Sequence, residues 1–177
     1  MQTRDRIAMK DFNPDIFRLF DDQWALVTAG TKENFNSMTI SWGMLGSLWG
    51  DAKKGKNVCT VFIKPARYTH QFIEDNDYFT VSFYDDAKYL KALGVMGSQS
   101  GRDIDKVAET GLTPKFLNKG VTYEEATTTL VLRKIYSHDF DKTKIPADVV
   151  EHFYATDSLA DKPHTIYIGE VVEMIRK

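Results

Sequence analysis

Cysteine is almost absent from this sequence, and no apolar stretch is long. Cys59 is the only cysteine among 177 residues, so no intramolecular disulfide can form. It lies in the apolar run 58–63, where a buried and unreactive thiol is the expected role. Charged residues interrupt every apolar run before it could span a bilayer, and the N-terminus lacks the apolar core of a secretory signal. We therefore expect a cytoplasmic protein with no membrane association.

An excess of positive charge is also missing. The formal net charge is −2 at pH 7, whereas nucleic-acid binding needs a concentrated basic surface. We expect no nucleic-acid partner, although a small anion needs only two or three well-placed cations. The composition is ordinary for a globular protein, with 42% hydrophobic and 27% charged residues. The length suits one domain, 1–177, with a core of its own.

Several familiar motifs are missing as well. The chain has no Gly-x-Gly-x-x-Gly and no Gly-x-x-x-x-Gly-Lys-Ser/Thr, which argues against Rossmann and P-loop chemistry. The four histidines are far apart and none stands at a ligand spacing, so we expect no metal site. No serine occupies a strained elbow, and Cys59 lies in an apolar run, so nucleophilic catalysis is not indicated.

What the chain does have is a series of short segments rich in aromatic and β-branched residues. They predict strands at 24–29, 38–42, 58–64, 78–84, 127–137 and 165–175. Brief helices are predicted at 69–74, 87–93, 103–110 and 146–154, and a polar surface loop at 50–57. Gly111 would end the third helix in a left-handed cap. Six or more strands separated by short helices predict a mainly β fold with a closed barrel.

The last predicted strand, 165–175, carries apolar residues at both parities. A strand with one wet face would alternate between apolar and polar side chains. We therefore expect both of its faces to be covered, one by barrel closure and the other by a subunit contact.

Polar and apolar side chains alternate directly after Asn36. The hydroxyl-bearing side chains share a parity and would line one face of a strand, namely Ser37, Thr39 and Ser41. The opposite face fits a core and comprises Met38, Ile40 and Trp42. The polar face is suited to a ligand, and a half-solvated strand is the alternative explanation.

A second polar cluster follows the strand predicted at 58–64. Pro65 ends the strand because it cannot donate a ladder hydrogen bond. Lys64 and Arg67 bring positive charge to a strand-to-helix connection, where Thr69 is a candidate helix N-cap. A guanidinium matches phosphate oxygens, and the amides at a helix N-terminus point the same way. A solvated arginine beside a capping threonine is the alternative.

A third cluster occupies residues 97–106. Small residues in it would permit close backbone approach and an anion-binding nest of amides, namely Ser98, Ser100 and Gly101. Arg102 and Lys106 add positive charge. Because Lys106 near a helix N-terminus opposes the helix dipole, it indicates an anionic partner. The alternative is a solvated ion pair of Lys106 with Asp103 or Asp105.

Taken in this order, the three clusters and the stretch 164–171 resemble the flavin reductase-like family, the FMN-binding split-barrel proteins. The similarity runs from about Trp24 to Val172. It implies a split β-barrel with short peripheral helices, assembled as a homodimer with one FMN per subunit near the interface. The loop 50–57 looks longer than the corresponding tight turn of the family.

The resemblance also implies roles for individual residues. Met38 to Trp42 would run along the isoalloxazine edge and use backbone amides and hydroxyls. The phosphate and ribityl chain would be held by Arg67, Thr69, Ser98, Ser100, Arg102 and Lys106. Other members of the cofactor-binding set would be Asn36, Ser37, Lys64 and Gly101. His164 matches a position that faces the nicotinamide of NAD(P)H in some members, and a structural or solvated histidine is the alternative.

The function expected from this resemblance is that of an FMN-dependent oxidoreductase, an NAD(P)H-dependent flavin reductase that passes electrons to a small acceptor. FMN would supply the redox chemistry, so no side-chain acid or base is required. Because no nucleotide-binding motif is present, a flavoredoxin-like electron carrier reduced by ferredoxin or hydrogenase is an alternative. A non-redox binding module on the same barrel is another. We expect residues 143–161 to cover the mouth of the site or the dimer edge.

Overall fold

The computed structural model describes residues 5–6, 11–51 and 55–177. Its strands are β1 (Asp5–Arg6), β2 (Ala25–Gly30), β3 (Phe35–Ile40), β4 (Gly43–Leu48), β5 (Lys56–Ile63), β6 (Tyr78–Phe83), β7 (Pro114–Leu117), β8 (Gly120–Tyr123), β9 (Thr128–Asp139) and β10 (Thr165–Arg176). Its helices are α1 (Ile16–Asp21), α2 (Tyr68–Glu74), α3 (Leu90–Ser98), α4 (Lys106–Thr110) and α5 (Ala147–Phe153). Single 3-10 turns lie at Ala87–Tyr89, Lys142–Lys144 and Leu159–Asp161.

The main sheet is antiparallel and curls back on itself. Its strands follow the order β3-β2-β6-β9-β10-β5-β4, and β1 pairs with β10. The two ends of this path, β3 and β4, are separated along the chain only by Ser41 and Trp42. Because a two-residue link joins the first and last strands of this order, the sheet must close into a barrel. The predicted mainly β barrel with short peripheral helices is confirmed.

Strand β2 lies between two apolar clusters, which is why all six of its residues are buried. Val27 packs into the barrel core with Phe79, Leu132 and other large side chains. Leu26, on the opposite face, packs with Leu93 of α3 in the second cluster. Because both faces of β2 are buried, the positions of the neighbouring strand β3 and of helix α3 are set by packing against it. Strand β3 and helix α3 together form one side of the cleft described below.

The strands rich in β-branched residues lie where the sequence predicts them, to within a few residues. Strand β3 begins three residues and ends two residues earlier than predicted, and β1 and β4 were not predicted. The β7–β8 hairpin was also not predicted. Strand β4 carries two glycines and no β-branched residue, and it is held in extended form by its pairing with β5. Residues 52–54 of the predicted surface loop lie outside the described residues, and Lys56 and Asn57 belong to β5.

The helix boundaries differ more from the predictions. Helix α3 runs to Ser98, five residues beyond the predicted end, so the start of the third cluster is helical. Helix α4 begins at Lys106 instead of 103, because the Asp105 carboxylate accepts from the amides of Val107 and Ala108. The left-handed cap at Gly111 is confirmed, with φ of +67°.

The remaining two predicted helices are also shifted at their starts. The prediction of Thr69 as a helix N-cap is wrong: α2 begins at Tyr68 after Arg67, and Thr69 is buried inside its first turn. Helix α5 is preceded by Pro146, which stands one position before the first helical residue. Both starts leave the helix N-terminus without a side-chain cap.

Strand β10 is covered on one face only within this chain. Thr165, Tyr167 and Gly169 are buried, whereas Ile166 and Ile168 are half-buried. The chain itself therefore covers one face of β10, and the predicted cover of the other face by a subunit contact stays a prediction. Cys59 is buried as predicted, and burial raises the pKa of its thiol to about 12. Among the described residues, none of the helices has the length and hydrophobicity needed to cross a membrane.

Candidate functional site

A cleft runs between the end of β3, the β5–α2 connection, the turn after α3 and the start of β10. It consists of two adjoining cavities of about 240 and 280 Å³, and Met38 and Arg67 line both. The smaller, which we call the cation-rich cavity, is bordered by Arg67, Arg102 and Lys106 together with hydroxyl and amide side chains. The larger, which we call the aromatic cavity, is bordered by Trp42, Phe62 and His164 together with Lys64.

Arg67 stands where the two cavities meet. It occupies the position before α2, in extended backbone conformation, and its half-buried guanidinium donates to the carbonyl of Gly97 at the end of α3. Burial lowers the pKa of Arg67 from its ordinary value, but an arginine stays charged in proteins. A guanidinium has five N–H donors, so the bond to Gly97 leaves others for a ligand in either cavity.

Lys106 brings a buried positive charge to the cation-rich cavity. Its side chain is 7% exposed, and Nζ donates to the carbonyls of Ser37 and Met96 at 2.8 and 2.7 Å. Burial, and then the charge of Arg67, lower its pKa to about 8. The alternative of an ion pair with an aspartate is wrong, because Asp105 caps α4 and the ammonium points to carbonyls. Two cations held together in this way favour an anion beside them.

Arg102 is more exposed than the other two cations. Its guanidinium carbon lies 4.4 Å from the centre of the Tyr68 ring, and Nη2 lies 3.4 Å from Gln71 Oε1. The backbone amide of Arg102 donates to Ser100 Oγ at 3.2 Å. Stacking on Tyr68 therefore places Arg102 at the rim of the cation-rich cavity, where water screens its charge.

Asn36 and Thr69 join β3 to α2 across the floor of the same cavity. Asn36 Nδ2 donates to Thr69 Oγ1 at 2.7 Å, and both residues are buried. The Thr69 hydroxyl keeps its proton to donate, and Asn36 keeps its amide oxygen as an acceptor. Ser98 also borders this cavity, although its hydroxyl donates to the Gly94 carbonyl at 2.8 Å.

Two predicted cofactor-binding residues lie outside both cavities. The Ser37 hydroxyl is buried behind β3, 2.8 Å from Thr28 Oγ1 and 2.8 Å from the Tyr123 hydroxyl. It serves the packing of the β7–β8 hairpin on the barrel. A Cβ on Gly101 would collide with the side chain of Asn36, so its lack of a side chain allows close approach to protein rather than to ligand. The two cavities bring together the other twelve residues of the predicted set.

The predicted nest of backbone amides is also not formed in the turn after α3. The amides of Asp103 and Ile104 both donate to the Ser100 carbonyl, at 3.0 and 3.2 Å. These two amides are therefore engaged within the turn, and the positive charge that the turn brings to the cation-rich cavity is that of Arg102.

Trp42 and His164 form the wall of the aromatic cavity. Their rings lie 4.8 Å apart, and Trp42 is 40% exposed, so its predicted place in the core is wrong. Strand β3 ends at Ile40, and the link to β4 turns Trp42 outward. Burial, and then the charge of Lys64, lower the pKa of His164 to about 4. The imidazole is therefore neutral near pH 7.

The segment 141–161 packs beside the aromatic cavity. Phe153 contacts Trp42, which borders the cavity, edge-on at 5.4 Å between ring centres. Lys64 Nζ donates to the carbonyls of Phe153 and Ala160 at 3.1 and 2.9 Å, which ties the segment to the barrel. Among the described residues that border the two cavities, none belongs to this segment, so its predicted cover of the mouth of the site or the dimer edge stays a prediction.

Thr39 and Ser41 differ in how free their hydroxyls are. Thr39 Oγ1 donates to the Leu93 carbonyl at 2.6 Å and so holds α3 against β3. Ser41, at the β3–β4 link, borders the aromatic cavity together with Met38. The cavities are also bordered by residues that sequence reasoning did not include, namely Phe62, Gly97, Tyr68 and Gln99. Gly97 and Gln99 lie within the third cluster and Phe62 within a predicted strand, but no role was assigned to them.

Solved structures share this fold. A flavoredoxin from Methanosarcina acetivorans superposes with a TM-score of 0.64 at 18% identity, over 94% of this chain and 74% of its own. An FMN-binding domain of a flavin reductase-like enzyme from Shewanella baltica OS155 gives 0.64 at 17% identity, over 98% and 77%. The NADH:FAD oxidoreductase of Streptomyces globisporus C-1027 gives 0.63 at 17% identity, over 88% and 75%. At these identities the likeness shows the fold.

A comparison of the sequence with family models identifies the family directly. No curated protein matches the chain closely enough to count as a relative. Residues 17–177, nearly the whole chain, match the model described as the flavin reductase like domain. The chain belongs to the flavin reductase-like domain family.

Proposed function

We propose that this protein binds FMN in the cleft and acts as an NAD(P)H-dependent flavin reductase that passes electrons to a small acceptor. The observation that carries the proposal is the pairing of a cation-rich cavity with an aromatic one, joined at Arg67. FMN has the same two parts, a phosphate that carries negative charge and a planar aromatic ring system. Together the two cavities reach the size of small-molecule sites, roughly 300–1,000 Å³.

The donors in the cation-rich cavity fit a phosphate. Arg67, Arg102 and Lys106 supply three positive charges, against one carboxylate, Asp103, on the same wall. The Lys106 ammonium donates to two neutral carbonyls and lies near Arg67, so a phosphate beside it would offset both charges. Thr69 adds a hydroxyl donor for the phosphate or the sugar-alcohol chain. Charge-assisted hydrogen bonds of this kind are about twice as strong as neutral ones.

The aromatic cavity fits the ring system. Trp42 and Phe62 offer apolar surface, and Ser41 and the backbone at the end of β3 offer hydrogen bonds to polar ring edges. When bound, FMN would accept a hydride or two electrons and pass them on. The chain's own residues would bind it, orient it and limit access of water. His164 is neutral near pH 7 and would present a hydrogen bond, not a charge, to a second molecule.

Membership of the flavin reductase-like family supports the proposal. One protein of similar fold is an FMN-binding domain and another is an NADH:FAD oxidoreductase. Others are flavoredoxins. The same cleft would serve an electron carrier equally well. The donor of electrons is therefore the point that an experiment has to decide.

Two measurements test the function. Titration of the purified protein with FMN, followed by flavin fluorescence, should give saturable binding with one flavin per chain. Anaerobic addition of NADH or NADPH should then bleach the flavin absorbance within a catalytic timescale. Bleaching by a reduced ferredoxin system but by neither nicotinamide would instead indicate a flavoredoxin-like carrier. Protein that binds no FMN would refute both and favour a non-redox binding module.

We also propose that the protein is a homodimer. An apolar groove of about 680 Å³ adjoins the aromatic cavity and shares Ser41, Trp42 and Phe62 with it. Phe17 and Met44 border this groove and are 86% and 59% exposed. Exposed apolar surface of this kind commonly marks an interface. Light scattering during size-exclusion chromatography should give twice the chain mass of 20.2 kDa, and Met44→Lys should lower it. A monomer at micromolar concentration would refute the proposal.

A further inference from the structure

Tyr154 and His164 share a buried hydrogen bond at the wall of the aromatic cavity. The Tyr154 hydroxyl lies 2.9 Å from His164 Nδ1, and Tyr154 is 2% exposed. Tyr154 directly follows α5, in the segment that Lys64 ties to the barrel. We propose that Tyr154 is a positioning residue, which donates its phenolic proton to Nδ1 of His164 and thereby holds that ring in the tautomer with its proton on Nε2.

The direction of this hydrogen bond follows from the surroundings of the phenol. Among the described residues, the His164 ring is the only acceptor found for the Tyr154 hydroxyl, which is buried. If Nδ1 carried the proton, the phenolic hydrogen would have no acceptor, and a buried donor without a partner is costly. Burial raises the pKa of Tyr154, so the phenol stays protonated and remains a donor.

His164 is a suitable acceptor because its ring is neutral. Burial and the nearby Lys64 charge lower its pKa to about 4, and a neutral imidazole has one N–H and one lone pair. Two charged or titratable groups lie near the His164 ring. Lys64 comes from the β5–α2 connection, and Tyr154 comes from the segment after α5. Trp42 packs on the ring and restricts its rotation.

The consequence is a fixed donor at the cavity wall. With Nδ1 engaged by Tyr154, the nitrogen left for a molecule in the aromatic cavity is Nε2, and it carries a proton. It can donate to a carbonyl or amide oxygen and cannot accept from a hydroxyl. For the proposed function, His164 would select a second substrate that has an oxygen acceptor, and this role alone rests on the proposed function. Near pH 7 His164 would not act as a general acid or base.

Long-range nitrogen–proton correlation spectra of ¹⁵N-histidine-labelled protein, without added FMN, test the tautomer directly. We expect the Nε2–H form of His164 at pH 7 in the wild type. In Tyr154→Phe we expect both tautomers, and a His164 pKa about one unit higher because the neutral ring loses a hydrogen bond. His138 is an internal reference: its Nδ1 lies 2.5 Å from the Asp139 carbonyl, which can only accept, so it should show the opposite tautomer.

Two results would overturn the assignment. One is an Nδ1–H tautomer of His164 in the wild type, which needs no variant and so does not depend on whether Tyr154→Phe folds. The other is a folded Tyr154→Phe protein with the wild-type tautomer and pKa. Leu159→Ala is the matched control, since it alters an exposed side chain of the same segment and keeps the hydroxyl, and its His164 signals should be unchanged. None of these spectra requires FMN or NAD(P)H, so they stand even if the proposed function fails.

Discussion

The two cavities of the cleft both contain positive charge and differ in the groups that accompany it. In the cation-rich cavity, Arg67 and Lys106 are partly or fully buried, and their hydrogen-bond partners among the described residues are neutral carbonyls. Hydroxyl and amide side chains complete that cavity. In the aromatic cavity, Lys64 is bonded to two carbonyls in the segment 141–161, and the neutral His164 ring lies among aromatic side chains. This difference would orient a ligand that is anionic at one end and aromatic at the other.

The two cavities also show how burial changes the protonation of a basic side chain. Burial lowers the pKa of a cation in both cavities, but Lys106 still carries a proton at pH 7 whereas His164 does not. The difference arises because the ordinary pKa of lysine is about four units above that of histidine. Burial thus leaves a charged ammonium in one cavity and a neutral imidazole in the other.

The largest expected effect is that of Arg67→Ala. Arg67 is half-buried and borders both cavities, so its loss should weaken FMN binding by about 2–3 kcal/mol, roughly 30–150-fold. The measurement is the FMN dissociation constant from fluorescence titration. Arg18→Ala is the control, because Arg18 is exposed on α1 and pairs only with Asp22. Arg67→Lys keeps the charge but loses the planar fork, and should recover part of the affinity. Equal FMN affinity in wild type and Arg67→Ala would remove the cation-rich cavity as the phosphate site.

The next largest effect concerns acid stability and the neutrality of His164. The folded-state pKa, about 4, lies below the unfolded value near 6.5. The unfolded chain therefore binds a proton that the folded chain does not, and stability is lost as pH falls from 6.5 to 4. We expect this residue to account for about 2 kcal/mol of that loss. Urea unfolding at pH 7 and pH 4.5 should show a smaller difference for His164→Asn than for the wild type. An identical pH dependence would mean that His164 is charged or exposed.

A smaller effect is expected from the titration of Lys106. Because its pKa in the free protein is about 8, the ammonium loses its proton as pH rises through 8, and the attraction for a phosphate is lost with it. FMN affinity should fall roughly tenfold between pH 7 and 9. Lys106→Met should bind more weakly at pH 7 and show a flatter profile over the same range. Parallel profiles for wild type and variant would assign the pH dependence to another group.

The sequence predicted the barrel well and the cleft in part. β-branched and aromatic runs mark β5, β6, β9 and β10, because each of these strands contributes side chains to the barrel core. Strand β4 has two glycines and depends on its partner β5, so no local pattern reveals it. The clusters around Arg67 and Lys106 were recognisable in the sequence. A cation near the start of a helix is unfavourable beside the positive end of the helix dipole, so it indicates an anion nearby.

What failed were the inferences that depend on distant parts of the chain. Parity correctly put Ser37 opposite Met38, but it could not show that Tyr123, 86 residues later, would bond to the Ser37 hydroxyl. Trp42 has the parity of a core residue, and only the end of β3 at Ile40 turns it outward. Tyr154 was not considered, because nothing in its own segment indicates that it reaches His164.

The smallest effect is expected for Arg102→Ala, and it separates the rim of the cation-rich cavity from its interior. Arg102 is exposed and stacks on Tyr68, so water and salt screen its attraction for a phosphate. We expect a loss of FMN affinity of about threefold at 0.1 M salt, and none at 1 M, where the Debye length is about 3 Å. The comparison with Arg67→Ala, whose loss should persist at high salt, is made on the same fluorescence titration. Arg102→Ala could instead weaken FMN binding as much as Arg67→Ala at both salt concentrations. The turn after α3 would then have to close over the phosphate on binding. Burial in the free protein would no longer predict which cation contributes most to FMN affinity.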